Sequence, residues 1–418
     1  MPEIVTTTLP NGLPVHRVPI TGTRALTVLV AFDAGARTER EEENGMAHFL
    51  EHLVFKGGEI YDDYRKVNET AEGIGAQLNA YTSHDLVAFH ITFRAEPEVA
   101  STAIDLLTDF VGRPKIDADE LDRERGVVIQ EIARAHDQPS MLAEHLIDRA
   151  VFGEHPLGRP VLGPEEHLRT FSREAIVAFR ERQWSGARGG VFLVGGVDAL
   201  PDDEVLADAF GRFPTLPPPP PYEPAPPFKP EVLVETRESN QSHLRISYRP
   251  KIDVHDRKQR AALTVYSTLL GGSMGSRLFD EIREQRGLAY SVHAVAHASS
   301  DVPILQMSAG LESGKLGEAY ERMRGIVDEL RTDGPREAEV ERSKRYAAGA
   351  RVLAFENTGA VARYAAQQAV VYGEDVDPDA AIAALDAVTF DEVAEVARDI
   401  EDVAAVACVG PHEASDFT

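Results

Sequence analysis

His48, Glu51 and His52 stand in the run Gly45-Met-Ala-His-Phe-Leu-Glu-His-Leu-Val-Phe55-Lys-Gly-Gly58. Residues three and four apart share one side of an α-helix, so this spacing puts two imidazoles and a carboxylate together. Two neutral imidazoles so placed can bind one zinc ion. The acid beside them can take the proton of a water that the ion acidifies. The order His-x-x-Glu-His is the inverse of the usual zincin order. With 14 histidines and 69 acids in 418 residues, chance would produce His-x-x-acid-His roughly 0.08 times. Coincidence is therefore a poor explanation. A solvated surface stripe would use the same residue types, but Met46, Phe49, Leu50, Leu53 and Val54 flank this one. They predict a mostly buried helix whose polar groups need partners. A catalytic zinc site needs a third protein ligand, which must come from elsewhere.

A second helix offers two candidates. Asp117-x-x-Glu120 is a capping-box-like start, and Gln138-Pro139 is the break. Between them Glu124 and Glu131 lie seven apart, two turns along one face, with Val128, Ile132 and Ala135 as the neighbouring apolar stripe. Either carboxylate would complete a His₂Glu site with one position left for water. Periodicity does not choose between them. His84 and His90 fall in or beside predicted strands, where histidines are usually ordinary packing residues.

The elements that must hold these groups can be read in order. Residues 3–9 and 14–20 flank the turn Pro10-Asn11-Gly12 and predict a hairpin. Ala25–Phe32 is a continuous apolar, β-branched run, expected as a well-buried strand. Residues 61–73 read as a helix, 76–83 and 86–93 as strands, and a helix of roughly fifteen residues follows Pro97. Residues 190–195 form another buried strand. Ten of the chain's 26 prolines fall within 214–230. Such a stretch is extended and cannot join a core. It predicts a linker between a zinc-binding domain at 1–213 and a second domain at 231–418. The second half repeats the order strand, helix, Gly-Gly, helix, strands, two long helices, final apolar strand. Placing Gly57-Gly58 on Gly271-Gly272 sets Ala262, Val265 and Tyr266 opposite His48, Glu51 and His52. Placing Asp122-Arg123 on Glu341-Arg342 sets Ser343 and Ala350 opposite the two glutamates. The second domain is thus expected to keep the scaffold without a metal site.

The whole composition narrows the function. A net charge of −26 argues against nucleic acid and anionic membranes as partners. The lone Cys408 excludes an internal disulfide and reads as a buried strand residue. No apolar run of about 18 residues predicts a membrane span. The N-terminus lacks the basic and apolar regions of a signal peptide, so a cytoplasmic protein is expected.

With these pieces assembled, the chain resembles the pitrilysin/insulinase superfamily of inverzincin metallopeptidases. It is similar to the small two-domain bacterial members and to the β-subunit of mitochondrial processing peptidase. The resemblance rests on His48-Phe-Leu-Glu-His-Leu-Val-Phe-Lys-Gly57, Leu78-Asn-Ala-Tyr-Thr82, Glu124-Arg-Gly-Val-Val-Ile-Gln-Glu131-Ile, His155-Pro-Leu-Gly-Arg-Pro-Val-Leu-Gly163 and Ser276-Arg-Leu-Phe through Arg283 to Gly287-Leu-Ala-Tyr290. It implies an α+β fold of two similar domains, each a mostly antiparallel sheet with helices on one face. It implies one Zn²⁺ per chain on His48, His52 and Glu131, with Glu51 as general base and Glu124 as an auxiliary acid. Asn79 and Ala80 match the edge strand to which substrate adds as an extra strand. Phe55 matches a wall beside the residue after the cut. Arg283 and Tyr290 match a pair that grips substrate backbone or polarises the scissile carbonyl. Positions 141 and 145, acidic in the processing peptidase, are Met141 and His145 here, which puts arginine specificity of that type in doubt. The family builds a chamber from four such domains, so a homodimer is implied, with a heterodimer as the other arrangement.

The expectation is therefore a zinc endopeptidase that hydrolyses unstructured peptides or short protein segments inside a chamber formed by dimerisation. The alternatives are a non-catalytic scaffold or partner subunit, and a dedicated maturation protease for one precursor peptide.

Overall fold

The computed structural model describes residues 3–217, 221 and 223–417. Eleven strands among them form two sheets. They are β1 (Val5–Thr8), β2 (Pro14–Pro19), β3 (Ala25–Phe32), β4 (Gln77–Thr82), β5 (Val87–Arg94), β6 (Gly189–Gly195), β7 (Val232–Thr236), β8 (Gln241–Tyr248), β9 (Ala289–Ala298), β10 (Pro303–Glu312) and β11 (Ala405–Gly410). The first sheet has the order β1-β2-β6-β3-β5-β4 and the second β7-β11-β8-β10-β9. The expected hairpin is present, with Val5 opposite Arg17 and Thr8 opposite Pro14.

The repeat expected from the sequence is visible in the topology. Strands β2 to β6 in one sheet and β7 to β11 in the other occupy matching places. Each sheet contains one parallel pair, β2 with β6 and β7 with β11, and is otherwise antiparallel. The fold is α+β, as expected.

The chain forms two compact units. One is Met1–Ile132, Pro160–Glu223 and Ala354–Pro378; the other is Ala133–Arg159, Pro224–Leu353 and Asp379–Thr418. The proline-rich boundary separates the two sheets, but each unit also takes in a segment from across it. Pro218–Pro220 and Tyr222 of that run lie outside the described residues.

The reason for the exchange is burial. In the first unit Leu26, Val28, Val30 and Phe32 of β3 face a core that includes Phe49, Leu53, Leu107 and Phe110. The alternate residues of β3 are buried as well. Helix Thr358–Ala366 covers that second face, packing on β3 and β6, and Thr358 shares a 2.8 Å hydroxyl contact with Thr27. A strand covered on both faces reads as an unbroken apolar run, which is why Ala25–Phe32 did not alternate.

In the second unit Leu244, Ile246, Leu305, Val406 and Cys408 face one core. Ala405, Ala407 and Ile304 face another, built by Ile147, Val151 and Phe152 of helix Pro139–Phe152. That helix is also fastened by charge: Glu144 accepts from Arg245 at 2.9 Å and from Gln306 at 3.0 Å. Cys408 is fully buried in β11, and burial pushes its thiol up to about 12.

Truncating one apolar side chain of this crossing helix tests the account. Ile147→Ala, at a fully buried site, is expected to cost about 2–5 kcal/mol in chemical denaturation of the full chain. A change within the error of the measurement would show that the helix does not carry that face.

Candidate metal centre

The motif helix runs from Met46 to Val54, with Met46, Ala47, Phe49, Leu50, Leu53 and Val54 buried. That leaves His48, Glu51 and His52 along the remaining side. Its N-terminus has no side-chain cap of its own at Gly45, whose φ is +99°. Glu39 supplies the acceptors from a distance. It takes the N–H of Ala47 at 2.7 Å, the N–H of Gly45 at 3.0 Å and the Asn44 amide at 3.1 Å. A carboxylate suits a helix N-terminus, where unsatisfied N–H groups converge. Gly45 also lies against the Leu162-Gly163 loop, and a Cβ there would come within 2.7 Å of the Leu162 carbonyl.

The far end is equally constrained. Gly57 has φ +122°, and a Cβ on Gly58 would sit 2.4 Å from the Asp109 carboxylate. Asp109, fully buried on helix Pro97–Gly112, accepts from the N–H groups of Ile60 and Tyr61, each at 2.9 Å. The chain must therefore turn immediately after Lys56.

Helix Ala118–Asp137 brings both candidate glutamates to the motif helix and separates their roles. Glu131 Oε2 lies 3.7 Å from His48 Nε2 and 3.5 Å from His52 Nε2. Glu124 instead faces the other nitrogen of His52, its Oε1 3.9 Å from Nδ1, and its Oε2 pairs with the Lys56 ammonium. Donors 2.0–2.2 Å from a tetrahedral zinc stand about 3.4 Å apart. The His48, His52 and Glu131 atoms all lie within 4.8 Å of one another, so the donor set and its spacing fit such an ion. No other group of this kind occurs among the described residues.

The electrostatics agree. Burial, reinforced by His52, pushes the His48 imidazole down to about 3, so its ring is neutral and its lone pair free. Burial also acts to lower His52, but Glu124, Glu131 and Glu51 outweigh it and its pKa rises. Burial raises the Glu51 carboxyl, against a 2.6 Å hydrogen bond that it accepts from Thr82. For Glu124 the contacts from His52 and Lys56 outweigh burial, and its carboxyl is lowered.

The other expected residues are distributed as follows. Phe55 is half-buried and packs its ring 5.4 Å from Phe110 and 6.1 Å from Phe89. Asn79 and Ala80 lie on β4, the outer strand of the first sheet; the Asn79 side chain accepts from the Ala80 N–H at 2.8 Å. In the second unit the Arg283 guanidinium stacks 5.6 Å from the Tyr290 ring, and Tyr290 is 87% exposed. Ala262, Val265 and Tyr266 are buried. Thr82, Lys56, Glu39 and Asp109 were not singled out by sequence reasoning. Each acts through a partner remote in sequence or by a side-chain contact that spacing alone does not announce.

The comparisons with known proteins agree with one another. A family model described as Insulinase (Peptidase family M16) matches residues 19–165, and one described as Peptidase M16 inactive domain matches 170–346. The uncharacterized zinc protease YmxG of Bacillus subtilis is 30% identical over 393 residues, 93% of each chain. An M16 inactive-domain structure from Pseudomonas fluorescens superposes with a TM-score of 0.89 at 19% identity, covering 98% of this chain and 99% of that one. A chain of Complex III2 from Candida albicans superposes with a TM-score of 0.81 at 16% identity, covering 99% and 97%. At such identities the structural likeness is one of fold.

His90 lies on β5 between Leu29 and Asn79 of the adjoining strands, apart from the histidine pair. Burial, with Arg363 acting the same way, pushes its imidazole down to about 4. An unfolded histidine gains its proton near pH 6.5. The unfolded chain thus binds more protons between pH 6.5 and 4, and the stabilisation present above 6.5 is lost as the pH falls through that window. Between pH 7 and 4 the wild type should lose about 3 kcal/mol more than His90→Gln. Urea denaturation across this range measures it, and parallel curves would refute the assignment.

Proposed function

The chain belongs to the insulinase family of peptidases, peptidase family M16, and on that premise we propose that it is a zinc-dependent endopeptidase. The observation that carries this reading is the convergence of His48 Nε2, His52 Nε2 and Glu131 Oε2 beside Glu51. His48, His52 and Glu131 would hold the ion. A bound zinc supplies Lewis acidity, which lowers the pKa of water and polarises a peptide carbonyl.

Glu51 then acts as general base. It takes a proton from the attacking water as the new carbon–oxygen bond forms. It returns that proton to the amide nitrogen as the carbon–nitrogen bond breaks. The Thr82 hydroxyl holds one oxygen of Glu51 and so limits its rotation. Glu124 orients His52. Asn79 and Ala80 on the outer strand β4 offer a backbone edge to an extended substrate, with Phe55 beside the residue after the cut. Arg283 and Tyr290 are assigned to gripping substrate backbone or polarising its carbonyl. Substrates that can present an extended segment are unstructured peptides and short protein segments. A second copy of the chain would complete the chamber.

The likeness to a chain of Complex III2 raises a non-catalytic reading. The intact donor set and the adjacent base favour the peptidase.

Metal analysis of the purified protein is expected to give one zinc per chain. A chelator should abolish cleavage of an unstructured peptide, and added Zn²⁺ should restore it. Glu51→Gln is expected to lose at least about 10²–10⁴-fold in kcat while keeping its zinc. A zinc-free wild type, or an undiminished Glu51→Gln variant, would refute the proposal.

A further inference from the structure

We propose that Lys56 is a positioning residue for the metal site, holding the Glu124 carboxylate so that its other oxygen faces His52 Nδ1 and His52 Nε2 is kept toward Glu131. The inference rests on the reading of His48, His52 and Glu131 as zinc ligands and adds a residue to it.

The geometry is specific. Lys56 follows His52 by four residues, just beyond the last turn of the motif helix. The side chains of both meet the same carboxylate, one on each oxygen. Glu124 is 4% exposed, and a buried carboxylate left without a cation is costly. The Lys56 side chain is 23% exposed, with its ammonium 6.0 Å from the Tyr64 ring centre. Lys56 is thus partly buried with its ammonium on the buried carboxylate. The left-handed Gly57 and the Gly58 contact with Asp109 fix the backbone directly after it. Lys56 is thus aimed by two glycines that themselves touch no ligand.

Charge counting leads to the same residue. Glu51, Glu124 and Glu131 place three carboxylates around the two imidazoles. One ammonium and one dication balance them. Without Lys56, the Glu124 carboxylate is buried, uncompensated and free to turn away from His52. Ligand orientation by an outer carboxylate is a general feature of histidine metal sites, and its loss typically weakens metal binding about 10–100-fold.

The sign of the effect separates this role from a plain field effect. Removing a positive charge near a dication would by itself tighten binding, so weaker binding reports lost orientation. Zinc affinity is measured by competition with a chromophoric chelator, on the full chain at fixed pH. Lys56→Met is expected to bind Zn²⁺ about 10-fold more weakly or worse, and Lys56→Arg to recover most of the loss. In a Glu124→Gln background, Lys56→Met should add nothing further. Lys56→Gln serves as the second variant if Lys56→Met does not fold. Unchanged or tighter binding overturns the proposal, as do fully additive losses in the double variant. A wild type that binds no zinc overturns the metal reading itself, an outcome distinct from a Lys56 variant that binds normally.

Discussion

The site depends on the cost of burying charge. The motif helix turns six of its nine residues into the core, which forces His48, Glu51 and His52 into a partly dehydrated strip. There each ionisable group needs a neighbour that suits its charge state. Glu131 lies between the two Nε2 atoms, Glu124 sits behind His52 with Lys56 behind it, and Thr82 holds Glu51. The same rule governs the helix ends, where Glu39 and Asp109 are buried carboxylates that collect backbone N–H groups. Glu39, Asp109 and Glu124 are thus buried acids, each held by its own partners, while Glu131 stays partly exposed.

Much of this was legible in the sequence because it is local. The spacing His48-x-x-Glu51-His52 is helical arithmetic, and Gly57-Gly58 announces a stop. The run Ala25–Phe32 was readable as a buried strand, and its boundaries match β3 residue for residue. The interval between Glu124 and Glu131 shows that they share a face, but not which of them meets which imidazole nitrogen. That choice depends on how helix Ala118–Asp137 crosses the motif helix, a tertiary quantity. Lys56, Thr82, Glu39 and Asp109 escaped for the same reason: three of them bond partners at least 31 residues away or in another element, and Glu39 caps a helix across a loop rather than from the capping position.

The internal repeat is visible as a repeat of scaffold. Five strands of each sheet share one order, and the alignment of Gly57-Gly58 with Gly271-Gly272 sets the buried Ala262, Val265 and Tyr266 opposite the ionisable strip. In the second half the C-terminal part of helix Arg257–Ser267 is buried, while Lys258 and Gln259 near its start stay exposed.

The crossing helices impose an order on how the molecule is made. β3 and β6 are both present by residue 195, but the helix covering their second face, Thr358–Ala366, emerges from the ribosome more than 150 residues later. Until then the face of the first sheet that carries Thr27, Leu29 and Ala31 has no helix over it. The first sheet can therefore be covered on both faces only after most of the chain has been made. Neither half, cut at the proline run, keeps both faces of its sheet covered.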